Sequence, residues 1–174
     1  MKFPVRFAVA VPLLLSSTVA CGGAKPRVLS SPHALVGQDA PDFRRDTLDG
    51  KVFKLADHKG KVVVVKFAAN YCEPCKKTLP ALEGYHQKTP DVTILVVAED
   101  EHIAEARTLA QTTRITMPVV LDGSNILSAR FRVADLPSTY IIGKDQKVRW
   151  MGGPDRSEDE LVRAIEEARN AAMP

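Results

Sequence analysis

The run Lys61-Val62-Val63-Val64-Val65-Lys66-Phe67-Ala68-Ala69 constrains the fold more than any other stretch, because apolar, mostly β-branched residues stand side by side without polar alternation. A strand with one wet face alternates apolar and polar residues, whereas a strand covered on both faces reads as a near-continuous apolar run. The chain must therefore place at least one strand between two layers. Thr93-Ile94-Leu95-Val96-Val97-Ala98 reads the same way. Between these runs residues 74–87 have helical character, and Ile103, Ala106, Leu109 and Ala110 recur at helical spacing within 101–113. Pro118-Val119-Val120-Leu121 is short and extended, residues 125–131 read as a brief helix, and 138–142 with 148–151 flank Gly143-Lys144-Asp145 as an antiparallel hairpin. An Asp49-Gly50 turn within 47–52 predicts another hairpin. Ser157 with Glu160 makes a capping box for a last helix whose apolar stripe includes Leu161, Val162, Ile165 and Ala168. Helices interleaved with buried strands imply an α/β layer structure, and there is no internal repeat.

The start of the chain is an address. Lys2 and Arg6 precede the apolar run 7–15, and small residues follow, which is the order of a secretory signal over residues 1–20. Pro12 and the shortness of the run argue against a permanent span, which needs about 20 apolar residues. The stretch Leu15-Ser16-Ser17-Thr18-Val19-Ala20-Cys21-Gly22 resembles the lipobox of bacterial lipoproteins, although Thr18 departs from the usual aliphatic residue. The resemblance implies that Cys21 is acylated and becomes the new N-terminus; the plainer alternative is cleavage after Ala20 that leaves Cys21 a free thiol. Residues 22–36 are rich in Gly, Pro and Ser without apolar periodicity, so 21–36 reads as a lipidated N-terminus and flexible tether, with a reach of about 20 Å, ahead of a domain over 37–174. The expected location is extracytoplasmic, anchored to a bacterial membrane and on the periplasmic side if the cell has two. Gly22 lacks the aspartate that holds some lipoproteins on the inner membrane.

Of the net charge of +3, Lys2 and Arg6 supply two units, so the mature chain is close to neutral and a nucleic-acid partner is not indicated. A body of about 150 residues hides roughly 70% of its unfolded surface and needs no disulfide staple. The cysteine count of three is odd, and a structural framework in an exported protein would use an even number.

The chemistry is concentrated at Cys72-Glu73-Pro74-Cys75, which follows the buried strand and opens a helix. A thiolate at a helix N-terminus faces unpaired backbone N–H groups and the positive end of the dipole, so its pKa falls below the free value of about 8.5. Cys72 suits the nucleophile, and Cys75, one turn in and facing inward, suits the resolving thiol. Pro74 fits the first helical turn. Lys76 and Lys77 add favourable charge, whereas Glu73 opposes thiolate formation if its carboxylate comes close. A zinc site would need two more ligands, and His33, His58, His86 and His102 show no paired ligand spacing. Covalent haem would need His after Cys75, where Lys76 stands. No metal and no cofactor are expected.

Several ordered landmarks carry a family resemblance: Gly37-Gln38-Asp39-Ala40-Pro41-Asp42-Phe43, Tyr71-Cys72-Glu73-Pro74-Cys75-Lys76-Lys77, Pro80, Pro118-Val119-Val120-Leu121-Asp122, and Leu136-Pro137-Ser138-Thr139-Tyr140. With them residues 37 to about 170 resemble the thioredoxin superfamily, specifically the membrane-tethered thiol-disulfide oxidoreductases that include cytochrome c maturation reductases. The resemblance implies a thioredoxin-like fold, a central mixed sheet flanked by helices, here with an N-terminal β-hairpin extension. It implies that Pro137 is cis and packs beside the thiols, making it a site residue with Cys72 and Cys75, and that the backbone of Leu136 pairs with an extended substrate segment. Leu136 read by itself is equally a core residue. Tyr71 replaces the usual tryptophan. Lys66 stands six residues before Cys72, where thioredoxins carry a buried acid. Its readings are a cation that depresses the thiol pKa, an amine paired with Glu99, or a snorkelling surface lysine. Thr78 occupies a position where some cytochrome c maturation reductases use a glutamate.

The expected activity is dithiol-disulfide exchange with extracytoplasmic protein partners, supplied by a membrane or extracytoplasmic electron donor, with reduction as the favoured direction. One alternative is a peroxiredoxin-like thiol peroxidase, because the Ala40-Pro41-Asp42-Phe43 opening is shared with that group, although Ala69 stands where it places threonine. Another is a non-catalytic binding module switched by the Cys72–Cys75 bridge.

Overall fold

The computed structural model describes residues 33–172. The signal segment 1–20, Cys21 and the tether up to residue 32 lie outside the described residues. Chain order runs β1 (Arg44–Asp46), β2 (Val52–Lys54), a 3-10 turn (Leu55–His58), β3 (Val62–Ala68), α1 (Glu73–Lys88), β4 (Val92–Ala98), α2 (Ile103–Thr113), β5 (Val119–Leu121), α3 (Ile126–Phe131), β6 (Ser138–Ile142), β7 (Val148–Gly152) and α4 (Glu158–Asn170). The Asp49-Gly50 signal marks the turn of the β1–β2 hairpin, with Gly50 at φ +84°, a conformation only glycine adopts freely. The capping box closes as read: Ser157 Oγ accepts from the Glu160 N–H at 3.2 Å, and Glu160 Oε2 accepts from the Ser157 N–H at 3.0 Å. The 3-10 turn has no counterpart in the sequence reading, since four residues are too few to show a helical period.

Five strands form a mixed sheet in the order β5-β4-β3-β6-β7. β3 pairs in parallel with β4 and antiparallel with β6, so the apolar run lies at the sheet centre and is buried along its whole length. Side chains of one strand alternate between faces. Val62, Val64 and Ala68 enter a layer built with Leu79 and Leu82 of α1, Leu109 of α2 and Ile165 of α4. Val63, Val65 and Phe67 enter the opposite layer with Phe43, Phe53, Leu55, Phe131 and Tyr140. There the Phe67, Phe131 and Tyr140 rings meet at tilted or edge-on angles, and the Tyr140 hydroxyl donates to the Phe131 carbonyl at 2.7 Å. That bond satisfies a polar group that burial would otherwise penalise.

A strap over residues 33–48 crosses this second face. It starts on β7, where the Gly37 N–H donates to the Val148 carbonyl at 2.8 Å and the Val148 N–H donates back to Gln38 at 2.9 Å. It ends on β5, where the Leu48 N–H donates to the Val119 carbonyl at 2.8 Å. β7 and β5 are the two edge strands of the sheet. The folded body thus begins before residue 37: Leu35 is buried against the second layer, and the His33 ring sits edge-on to Tyr140. Residues 33–36 of the expected tether are held by the body because Leu35 has an apolar recess to fill, a gain that periodicity does not register.

Candidate functional site

β3 delivers the chain to the sheet's C-terminal margin, and the loop after it is pinned before α1 starts. The Asn70 N–H donates to Asp100 Oδ1 at 2.8 Å, and the Cys72 N–H donates to the Ala69 carbonyl at 3.0 Å. Cys72 is then the N-cap of α1: its backbone is extended, and its Sγ accepts from the Cys75 N–H at 3.2 Å. Sulfur here takes the place of the oxygen that usually satisfies a first-turn donor. Pro74 occupies the first turn, where its missing N–H leaves no gap. Cys72 and Cys75 are joined by a disulfide. Cys72 is 7% exposed and Cys75 is fully enclosed among Val64, Ala68 and Leu79. An attacking or attacked partner therefore reaches Cys72 first.

Glu73 and Lys76, the charges next to the cysteines, form a pair. Lys76 Nζ lies 2.9 Å from Glu73 Oε1, and the hydrogen bond and charge of Lys76 hold the Glu73 carboxyl below its usual range. The opposing influences expected from Glu73 and Lys76 are thus largely spent on each other at the surface. Tyr71 is 69% exposed, and its hydroxyl is pushed up by partial burial and by the carboxylates of Glu99 and Asp100.

An open groove of about 560 Å³ runs beside Cys72, bounded by Tyr71, Glu73, Glu99, Asp135 and Leu136. The Leu136–Pro137 bond is cis, and Ser138 Oγ donates to the Asp135 carbonyl at 2.6 Å, holding this corner. Leu136 is half-buried and touches both core layers while walling the groove, so its core and groove readings hold together. Glu99 is a groove residue that no local sequence pattern marks. It arrives, with Asp100 buried beside it under the Asn70 N–H, through the parallel pairing of Ala68 with Ala98, which sets the residues after β4 beside those after β3. Burial raises the Glu99 pKa and the Asp122 charge adds to this, against a 2.6 Å hydrogen bond from Ser128 Oγ that works the other way.

Lys66 does not line that groove. It is 3% exposed, so it does not snorkel, and its Nζ meets Thr139 Oγ1 at 3.4 Å rather than Glu99. Burial lowers its pKa to about 8. With Pro74, Thr78 and Pro137 it lines a cavity of about 80 Å³. Among the described residues no group of His, Cys, Asp and Glu side chains is arranged to hold a metal ion. His58 is stacked on Phe53 and bonded to Thr93, a packing role far from this site's residues in the fold.

Residues 36–151 match the model of the AhpC/TSA family. The chain is 36% identical over 110 residues to the thioredoxin-like protein YneN of Bacillus subtilis, covering 61% of this chain and 64% of YneN, just under two thirds of that relative. It is 29% identical over 133 residues to the thiol-disulfide oxidoreductase ResA of Geobacillus kaustophilus, covering 75% of this chain and 76% of ResA. Among solved structures, a thiol:disulfide interchange protein of the thioredoxin family from Chlorobium tepidum superposes with a TM-score of 0.66 at 26% identity, covering 75% of this chain and 94% of that one. The expected thioredoxin-like fold is therefore the observed one.

Proposed function

The chain belongs to the AhpC/TSA family, and from that premise we propose that it is a thiol-disulfide oxidoreductase that reduces disulfides of protein partners outside the cytoplasm. The observation that carries this reading is the asymmetry of the cysteine pair: Cys72 caps α1 beside an open groove, while Cys75 is closed off beneath it. With the pair reduced, the Cys72 thiolate attacks a partner disulfide. One partner sulfur leaves as thiolate and takes up a proton, and a mixed disulfide remains. Cys75, having lost its proton, attacks Cys72 Sγ and releases the second partner thiol, so the partner gains two electrons and two protons while the protein's own disulfide closes. A donor thiol system then reduces the pair again. Tyr71 and Leu136 wall the groove in which the partner segment would lie, and the family resemblance implies that the backbone of Leu136 pairs with it.

Acylation at Cys21 and a tether ahead of the body would hold this chemistry at a membrane surface, the arrangement implied by the lipobox resemblance. Cytochrome c maturation is one partner pathway consistent with the resemblance, and Thr78 in place of a glutamate leaves general disulfide reduction equally open. Trapping with Cys75→Ser in the native envelope, followed by mass spectrometry of what is held on Cys72, identifies the partner. Absence of any mixed disulfide together with no exchange turnover by the wild type would overturn the proposal and favour a redox-switched binding module.

A thiol peroxidase is the second reading, favoured by the family match and by Ala40-Pro41-Asp42-Phe43. Ala69 is buried before Cys72 and offers a peroxide no hydroxyl. Peroxide consumption faster than disulfide exchange by the same purified protein would select it.

A further inference from the structure

We propose that Lys66 is the counter-charge of the reduced Cys72/Cys75 pair, a positioning residue whose buried ammonium keeps one of the two sulfurs as thiolate. The proposal rests on the reading that this pair cycles between disulfide and dithiol.

Lys66 points from the centre of β3 into the layer shared with α1, between Val64 and Ala68. Among the described residues its only side-chain hydrogen bond is the long one to Thr139 Oγ1, at 3.4 Å. Among the described residues no carboxylate forms an ion pair with it. From α1 the titratable group facing the cavity is Tyr85, whose hydroxyl is turned to Glu166 at 2.7 Å. From the loop before α4 and its first residue, Arg156 and Glu158 line the cavity, Arg156 paired with Glu160 at 3.1 Å. From β4 the neighbour in register is Val96, which is apolar.

A cation stripped of water and given no anion is costly, and a packed apolar residue in its place would be favoured for stability. The site therefore holds a charge that the oxidised protein does not use. The charge that appears in the other half of the cycle is a thiolate. The α1 wall of the Lys66 cavity includes the turn that carries Cys75: Pro74 precedes it, and Thr78 Oγ1 donates to its carbonyl at 3.3 Å. Lys66 and Cys75 are both buried, so the field between them is screened less than it would be at the surface.

The electron and proton count follows. Reducing the disulfide to two thiols takes two electrons and two protons. With the ammonium as counter-charge, two electrons and one proton suffice near neutral pH, and the second sulfur stays ionised. That thiolate attacks without first losing a proton. The same stabilisation makes the reduced pair less reducing than it would be without Lys66.

The test needs no partner, so its failure is separable from failure of the exchange reading. Thiolate absorbance of the reduced protein is followed against pH for the wild type, Lys66→Met and Lys66→Gln, with circular dichroism confirming the fold. The expected result is about a tenfold smaller thiolate fraction at a given pH in both variants, the low end of what removing a nearby opposite charge does. A second measurement uses the wild type alone: proton uptake on reduction, expected to approach one per two electrons. Variants that titrate as the wild type does, or a wild type that takes up two protons at neutral pH, overturn the proposal.

Discussion

The backbone N–H of Cys75 points at Sγ of Cys72, 3.2 Å away, so the accessible sulfur caps the very helix that carries the enclosed one. Serine is among the best N-cap residues. Cys72→Ser should therefore abolish disulfide exchange while leaving the thermal midpoint of the reduced protein within a few degrees of wild type. Reporter-disulfide turnover and a melting curve check both halves. Cys75→Ser should keep the first attack and stall as the mixed disulfide.

Tyr71 carries the largest exposed apolar surface at the groove and makes no core contact that its removal would void. Tyr71→Ala is expected to raise KM for a protein disulfide roughly fivefold, about 1 kcal/mol of lost contact. Turnover of a small-molecule disulfide and the urea midpoint should stay as they are. Equal loss on both substrates would place Tyr71 in the chemistry rather than in partner contact.

Lys66 has a stability signature of its own. Its folded pKa is lowered to about 8 from 10.5, so between those values the unfolded chain binds the proton and the folded chain does not. Stability must then rise with pH across that window, and below it the penalty of the buried charge is complete. Oxidised Lys66→Met should be more stable than wild type at pH 7 by up to about 3 kcal/mol, with the advantage shrinking as pH climbs from about 8 to about 10.5. Urea unfolding at several pH values reads it directly.

Glu83 on α1 is a buried carboxylate that holds the approach to β5. Its oxygens accept from the Thr116 N–H at 2.8 Å, Thr116 Oγ1 at 2.5 Å, the Met117 N–H at 3.3 Å and Gln87 Nε2 at 3.0 Å. Burial works to raise its pKa, and these bonds outweigh it, so the net shift is downward. A depressed carboxyl stabilises the fold above its unfolded pKa, and that contribution is lost as pH falls through the folded value. Glu83→Ala should cost about 2–4 kcal/mol at neutral pH by stranding buried donors, and should flatten the acid limb of the stability profile.

Legibility in the sequence followed the range of the interactions involved. β3 and β4 were readable because burial on both faces leaves a mark in consecutive residues, and α4 was readable because Ser157 and Glu160 are close in sequence. Cys72 and Cys75 were readable for the same reason. Glu99 at the groove and Asp100 under the Asn70 N–H are not legible, since their positions depend on which residue of β4 lies beside which residue of β3. Lys66 shares the parity of Val64 and Ala68, yet which layer that parity faces depends on where α1 returns. Leu35 was missed because one apolar residue carries no period.

The strap over residues 33–48 has a mechanical consequence. By hydrogen-bonding to β7 at one end and β5 at the other, it hems both margins of the sheet with one length of chain. A cut upstream of His33 leaves the hem whole. A cut between Gln38 and Thr47 severs the link between the two margins: β5 keeps Leu48, which remains joined to the body, whereas the piece covering β7 is held by its own few bonds and can leave, opening a seam of unpaired backbone to a neighbouring copy. The site of a nick, more than its occurrence, decides which edge of the sheet is laid open.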